Sequence, residues 1–347
     1  MPGDDARRAE GDARPRLVVL SPEPLFHSFF DAPRRRRLAR LARLARVEGR
    51  RVSPAMRAAR RDADAILSTW DSPAFGEELT LLAPRLRLVA HCGGEVKGRY
   101  ARPLFERLTI ANAPGPMAAY VAELAVTFLL MAARRIDDYR AALRAPSNRV
   151  YARLHALGAE GEGLRGRTVG LLGLGRIGRE TARLLQPFGA RLLGHDPFVD
   201  PAEAGALGVE LVSFRRLLRA SDHLVIAAGL TDATRGVVDR AALGLLRDGA
   251  TVVNVARGGL VDLDALVLEV RRGRLRCAVD VTDPLEPLPP RHPLRRMPGA
   301  ILTPHVGAAM IEVRRQMADT LLDAIARFFS GRPVPTRVTP AMLETMT

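Results

Sequence analysis

Gly173, Gly175 and Gly178 fall in a G-x-G-x-x-G spacing directly after a short apolar run, Thr168–Leu172. Each glycine serves a physical purpose. Gly173 permits a tight turn, Gly175 removes the Cβ that would block a pyrophosphate, and Gly178 lets helix and strand pack closely. A helical pattern opens at once, with Ile177, Ala182, Leu184 and Leu185 on its apolar side, and its first N–H groups and dipole attract phosphates. Gly189 ends that helix. A second apolar run, Ala190 to Gly194, leads to Asp196, 18 residues beyond Gly178, where a carboxylate can accept both hydroxyls of a ribose. Strand, turn, helix, strand and terminal Asp in this order predict an NAD site. Asp196 repels a 2′-phosphate and so favours NAD over NADP, while Arg191 and His195 nearby pull the other way.

In open α/β sheets, ligands bind outside the carboxyl ends of the strands. Reading those ends adds Gly229-Leu-Thr-Asp, then Arg257 after Thr-Val-Val-Asn-Val-Ala, Asp280 in Cys-Ala-Val-Asp-Val, and His305 after Ile-Leu-Thr-Pro. A guanidinium fixes a carboxylate or polarises a carbonyl, and an imidazole moves a proton near neutral pH. A carboxylate paired with that imidazole favours its charged form and holds its orientation. This is equipment for hydride transfer on a hydroxy or keto acid. Blander readings stand beside it: Arg257 as a surface ion pair, His305 as a satisfied histidine behind a loop, Asp280 as an acceptor of backbone N–H groups.

The elements that must position these residues alternate along the chain. Residues 1–15 carry mixed charge, Gly and Pro and read as a disordered tail. Strands are predicted at 17–20, 63–68, 86–90 and 108–112, with helices at 34–47 and 73–82. A long helix at 117–143 follows Pro114-Gly-Pro116, then a loop over 144–163. Later strands are predicted at 223–227, 250–255, 276–281 and 300–302, with helices at 214–219, 240–246 and 264–272, the last capped by Asp262 or Asp264. A final amphipathic helix at 308–329 is placed against the first domain. The pattern implies two Rossmann-like or flavodoxin-like α/β domains with parallel sheets and a cleft between them: 16–113 plus 308–347, holding substrate, and 114–307, binding the dinucleotide.

At 347 residues the chain is long enough for two cores. Two cysteines, Cys92 and Cys277, imply no disulfide framework and fit a reducing cytoplasm. No apolar run approaches the ~20 residues that span a bilayer, and the N-terminus lacks the apolar centre of a signal peptide. The net charge of +15 raises nucleic-acid binding, but Lys97 is the only lysine and the arginines are scattered, as a composition bias would leave them. The densest cluster, Arg34 to Arg37 with Arg40, Arg43 and Arg46, has Leu38, Leu41 and Leu44 at helical spacing and reads as an amphipathic helix with a solvated basic face.

The motifs together resemble the D-2-hydroxyacid dehydrogenase family over nearly the whole chain after residue 15: Gly-Leu-Gly-Arg-Ile-Gly (173–178), His-Asp-Pro (195–197), Asn-Val-Ala-Arg-Gly-Gly-Leu-Val-Asp (254–262), Asp-Val-Thr-Asp-Pro-Leu-Glu-Pro (280–287) and Thr-Pro-His-Val-Gly (303–307). The resemblance implies Arg257 as the substrate-binding arginine, His305 as the acid/base and Glu286 as its partner. It implies cofactor contacts at Gly173, Gly175, Arg176, Ile177, Gly178, Asp196, Thr234 and Ala256, with Asp280 on the nicotinamide carboxamide. It also makes Gly93, Gly94, Glu95 and Val96 a loop whose main-chain N–H groups face the substrate carboxylate. Three departures stand out. Leu285 is an extra residue before Glu286, which leaves Asp283 as a rival partner for His305. Ala227-Ala-Gly229 replaces a His and a Pro common in the family's cofactor loop. Glu95 puts a carboxylate in a carboxylate-binding loop, so it either turns away or the substrate is no simple small keto acid, with Lys97 and Arg99 able to compensate.

The expectation is a cytoplasmic, homodimeric, NAD-dependent oxidoreductase for a small 2-hydroxy or 2-keto acid, with neither nucleic acid nor membrane as partner. The rival on the same fold is a non-catalytic NAD-binding regulator.

Overall fold

The computed structural model describes residues 13–144, 147–158, 161–344 and 346; most of the expected tail, residues 1–12, lies outside the described residues. The chain forms two compact units, Met1–Pro116 with Met310–Thr347, and Met117–Ala309.

In the first unit the order is β1 (Arg16–Leu20), α1 (Glu23–Phe29), α2 (Ala32–Leu41), β2 (Arg43–Val47), α3 (Pro54–Arg61), β3 (Ala65–Thr69), α4 (Leu79–Leu82), β4 (Leu88–Cys92), α5 (Leu104–Arg107) and β5 (Thr109–Asn112). The sheet runs β2-β1-β3-β4-β5 with every pairing parallel. β3 and β4 are buried along their whole length, which is why they read as unbroken apolar runs rather than alternating ones.

Two predicted helices fail here. The stretch 34–47 is not one helix: α2 stops at Leu41, Ala42 turns extended and buried, and Arg43–Val47 becomes the edge strand β2. Parallel pairing with β1 runs in register along all five residues, and this outweighs the leucine spacing that carries the helical pattern on to Leu44, itself 41% exposed. Of 73–82 only Leu79–Leu82 is helical, because Phe75 forms a bridge with Tyr100 and its ring enters the core.

The second unit begins within the first turn of α6 (Gly115–Ala133), and α7 (Ile136–Leu143) and α8 (Arg149–Leu157) follow. The predicted single helix 117–143 is therefore interrupted, at Arg135, whose φ of 52° is left-handed and which bonds Asp138. The predicted loop 144–163 contains the helix α8, none of whose residues is buried. α6 also corrects the reading of apolar length: at 19 residues with a mean hydropathy of 1.7 it is long and apolar enough to cross a bilayer. Its Val121, Ala125, Phe128 and Leu129 pack with Val169, Leu171 and Val225 in the sheet core.

There follow β6 (Thr168–Leu172), α9 (Arg176–Leu185), β7 (Arg191–His195), α10 (Pro201–Ala206), β8 (Val209–Leu211), α11 (Phe214–Ala220), β9 (His223–Ile226), α12 (Arg240–Leu245), β10 (Thr251–Asn254), α13 (Leu263–Arg271), β11 (Arg276–Val279) and β12 (Ala300–Leu302). The parallel sheet runs β12-β11-β10-β9-β6-β7-β8, so the winding reverses between β6 and β9. Asp262, not Asp264, caps α13, accepting the Ala265 N–H at 2.9 Å. Leu184, expected on the apolar side of α9, is 38% exposed.

The last helix, α14 (Ile311–Phe329), packs on α1, α2 and β4 of the first unit. Its Asp319 and Asp323 pair with Arg34 and Arg37, so the basic face of α2 is partly neutralised from within the fold.

Candidate active site

The three glycines after β6 divide into two kinds. Gly173 has φ +92°, and a Cβ on it would lie 2.6 Å from the Ala228 backbone; on Gly178 it would lie 2.1 Å from the Gly173 carbonyl oxygen. A Cβ on Gly175 would meet nothing within 4 Å. The outer two are demanded by the fold itself, whereas the middle one guards open space at the start of α9. Among the described residues, no partner is bonded to the N–H groups of Gly175, Arg176 and Ile177 at that helix start. An open cradle facing free helix N–H groups suits the pyrophosphate of a dinucleotide.

Asp196 stands just past β7. Its Oδ2 accepts the Leu174 N–H at 2.8 Å and its Oδ1 the Phe198 N–H at 3.0 Å, which aims the carboxylate beside the glycine turn and leaves each oxygen a lone pair for a ribose hydroxyl. The two groups expected to favour a 2′-phosphate are occupied: Arg191, at the opposite end of β7, pairs with Glu210 at 2.8 Å, and His195 Nδ1 lies 3.0 Å from the Val212 carbonyl oxygen. Thr234 does not project a free hydroxyl either: it donates to the Gly229 carbonyl at 2.7 Å and accepts the Thr231 N–H at 2.8 Å, closing its own loop.

Arg257 follows β10 on a turn that Asn254 clamps. Asn254 Oδ1 accepts the Ala256 N–H at 3.1 Å and its Nδ2 donates to the Arg257 carbonyl at 2.9 Å. Ala256 is buried, and its carbonyl accepts from Arg257 Nη1 at 2.7 Å. Gly258 is needed because a Cβ there would lie 2.2 Å from the Thr282 carbonyl carbon. The Arg257 turn is thus held against the segment that continues to Glu286.

His305 Nδ1 and Glu286 Oε2 are 2.9 Å apart, with half of the His305 side chain exposed. Glu286, not Asp283, forms the pair with His305. Its Oε1 also accepts the Thr282 N–H at 3.3 Å, and the Thr282 hydroxyl donates to the Leu285 carbonyl, so the extra residue is taken up in a closed turn. His305 has φ 55°, a left-handed conformation that a non-glycine residue keeps only when its surroundings enforce it. Asp280 enforces it. Buried to 3% exposure, its carboxylate accepts from the Thr303 hydroxyl at 2.5 Å, the Val306 N–H at 2.8 Å and the Gly307 N–H at 2.9 Å, while its carbonyl accepts the His305 N–H at 2.8 Å. The plainer of the two readings of Asp280, an acceptor of backbone N–H groups, describes what it does here. Sequence reasoning missed Asn254 and Gly258; a buried polar residue ending an apolar strand was the available signal for the first.

In the first unit the turn after β4 carries the other expected residues. Gly93 donates its N–H to the His91 carbonyl at 2.9 Å, and the Gly94 carbonyl accepts from Asn112 Nδ2 at 2.8 Å. Among the described residues, the N–H groups of Gly94, Glu95 and Val96 have no acceptor. Glu95 turns back on its own loop: Oε1 accepts the Gly98 N–H at 2.8 Å and Oε2 faces Arg99 Nε at 3.8 Å. The Val96 side chain is fully buried in the core, so only its main chain is available to a ligand.

The chain matches the model of the D-isomer specific 2-hydroxyacid dehydrogenase NAD-binding domain over residues 126–307. It is 35% identical over 285 residues to D-3-phosphoglycerate dehydrogenase of Mycobacterium leprae, covering 80% of this chain and 51% of that protein. It is also 35% identical over 283 residues to glyoxylate reductase of Aeropyrum pernix, covering 80% and 83%. The chain spans about half the length of the first of these relatives and most of the second. The holo D-mandelate dehydrogenase of Rhodotorula graminis superposes with a TM-score of 0.82 over 94% of this chain and 97% of that one; at 24% identity this likeness concerns the fold alone. This chain belongs to the D-isomer specific 2-hydroxyacid dehydrogenase family and carries its NAD-binding domain.

Proposed function

We propose that the protein is an NAD-dependent oxidoreductase interconverting a 2-hydroxy acid and a 2-keto acid. The observation that carries this reading is the His305–Glu286 pair, held in a strained backbone conformation by Asp280 on the same sheet edge as the open glycine cradle. NADH, when bound, supplies the hydride. His305 gives its proton to the alkoxide that develops at the keto carbon, and Glu286 stabilises the imidazolium and fixes the ring through Nδ1. That leaves Nε2 as the atom that exchanges the proton. Arg257 orients the acid and polarises its carbonyl. The N–H groups of Gly94, Glu95 and Val96 receive the carboxylate, an arrangement made possible because Glu95 is tied to Gly98 and Arg99.

Asp196 reads the ribose, and the engagement of Arg191 and His195 elsewhere supports NAD rather than NADP. A small-molecule substrate rather than nucleic acid is supported by the pairing of Arg34 and Arg37 with α14. Self-association as a homodimer is supported by the exposed Ile136, Leu143, Tyr151 and Leu157 of α7 and α8, and a cytoplasmic setting by two buried free cysteines. The test is NADH consumption over a panel of 2-keto acids of graded size, with and without a phosphate. Oxidation with at least one acid is expected. Tight NADH binding with no acid reduced would favour the non-catalytic regulator.

A further inference from the structure

Beneath the turn at 93–96 lies a chain of buried polar side chains that the reaction itself does not use. Ser68 Oγ, on β3, is 2.9 Å from His91 Nδ1 and 2.5 Å from the Tyr100 hydroxyl. Ser68 is 0%, His91 1% and Tyr100 4% exposed. His91 lies two residues before the turn and Tyr100 four residues after it, so both ends of the loop are tied together through a neighbouring strand.

The donors fix the direction of the chain. A buried phenol must donate its proton, and among the described residues its acceptors are Ser68 Oγ and, at 3.5 Å, His91 Nδ1. Tyr100 therefore donates to Ser68, Ser68 donates to His91 Nδ1, and the imidazole carries its proton on Nε2. Burial pushes the His91 imidazole down to about 3, so the ring stays neutral, and pushes the Tyr100 phenol up, so it stays a donor.

The far side of the ring meets the loop. A Cβ on Gly93 would lie 2.5 Å from His91 Nε2, and the Gly93 N–H folds back onto the His91 carbonyl. The ring is thus a wall against which the turn is shaped. Apolar side chains would fill this space without desolvating three polar groups. What the polar chain adds is a single fixed orientation of the wall, as a turn presenting bare N–H groups requires.

We propose that Tyr100, Ser68 and His91 form a positioning device that fixes, through the His91 ring and Gly93, the turn whose Gly94, Glu95 and Val96 N–H groups receive the substrate carboxylate. The proposal rests on the dehydrogenase reading above for the identity of the ligand, and on the geometry alone for the device. Tyr100→Phe keeps the ring and removes the donor. It should raise KM for the keto acid about tenfold while kcat and NADH affinity stay within about twofold, as expected when one buried hydrogen bond behind a substrate-holding turn is lost. Amide hydrogen exchange over 93–99 should quicken in the same variant and not elsewhere. His91→Asn, which offers Ser68 an amide near the place of Nδ1, should be milder than His91→Gln, which does not. Ser68→Ala carries the same predictions should Tyr100→Phe fail to fold. Unchanged KM and unchanged loop exchange, or a glutamine milder than the asparagine, would overturn the device. A wild-type protein that reduces no keto acid, yet whose loop exchange responds to Tyr100→Phe, would remove the dehydrogenase reading and keep the device.

Discussion

The two units solve one problem identically and a second one differently. At the amino edge of each sheet an aspartate precedes the central strand, β3 in the first and β9 in the second. Asp64 accepts the Arg16 N–H at 2.8 Å, and Asp222 the Thr168 N–H at 2.8 Å. Each also donates its own N–H to the carbonyl of that same residue, accepts an arginine from the next connection (Arg85 or Arg247), and receives a main-chain N–H on its carbonyl from the following strand region. At the carboxyl edge the likeness ends. The second unit has a glycine turn, an arginine on a clamped loop and a paired histidine; the first has Ser21-Pro-Glu-Pro and a turn of bare N–H groups. Backbone satisfaction at the closed edge is duplicated, while the residues of the proposed chemistry stand at the open edge, where no rule of sheet geometry dictates their types.

Substitutions at the open edge should therefore cost activity, and those at the closed edge stability. Arg257→Ala should lower kcat/KM by roughly a hundred- to a thousandfold, the usual loss for one charge-stabilising donor, with the melting temperature unmoved. Steady-state kinetics beside calorimetry would show whether the two readouts separate.

Within the glycine turn the same separation is expected on a smaller scale. Gly178→Ala forces a Cβ to 2.1 Å from a backbone oxygen and should destabilise by about 3 kcal/mol. Gly175→Ala meets nothing in the protein and should leave the cofactor-free melting temperature unchanged while weakening NADH binding about tenfold or more. Titration of NADH fluorescence against thermal melts decides it. Equal stability losses in the two variants would mean that Gly175 is structural too.

His223, at the amino edge of the second sheet, has both ring nitrogens buried without a hydrogen bond, and burial pushes it down to about 4. Because its folded pKa is depressed, the stability it permits is complete above 6.5 and is lost as pH falls toward 4, by roughly 3 kcal/mol in total. His223→Gln should flatten that part of the denaturation profile and leave turnover alone. The smallest effect belongs to Asp222→Ala, about 1–3 kcal/mol at neutral pH. Burial works to raise the Asp222 pKa, but the Thr168 N–H and the Arg247 guanidinium outweigh it and hold it below 3.8. Its stabilisation is therefore present above 3.8 and disappears as pH falls through the lowered value, so the variant and wild type should converge in acid.

The second unit was the more legible in sequence because its boundaries are chemically marked. Gly173, Gly178 and Gly189 sit where backbone crowding or a positive φ permits little else, and Asp262 caps the helix it precedes. The first unit hides its edge: β2 has the leucine spacing of the helix before it, and only pairing with β1 makes it a strand. In the site, residue type and strand-end position announced Arg257 and His305, while Glu286 came only from the family resemblance, with Asp283 as its rival. The groups that aim them, Asn254, Gly258 and the carboxylate of Asp280, act through contacts made by segments far apart in the chain, such as Gly258 against Thr282.

Proton transfer by His305 is tested most directly by single-turnover reduction of a 2-keto acid by protein preloaded with NADH, in wild type and in His305→Gln. A fall of roughly two to four orders of magnitude is expected in the variant, with NADH binding retained. Equal rates in the two proteins would contradict a proton-transfer role for this histidine.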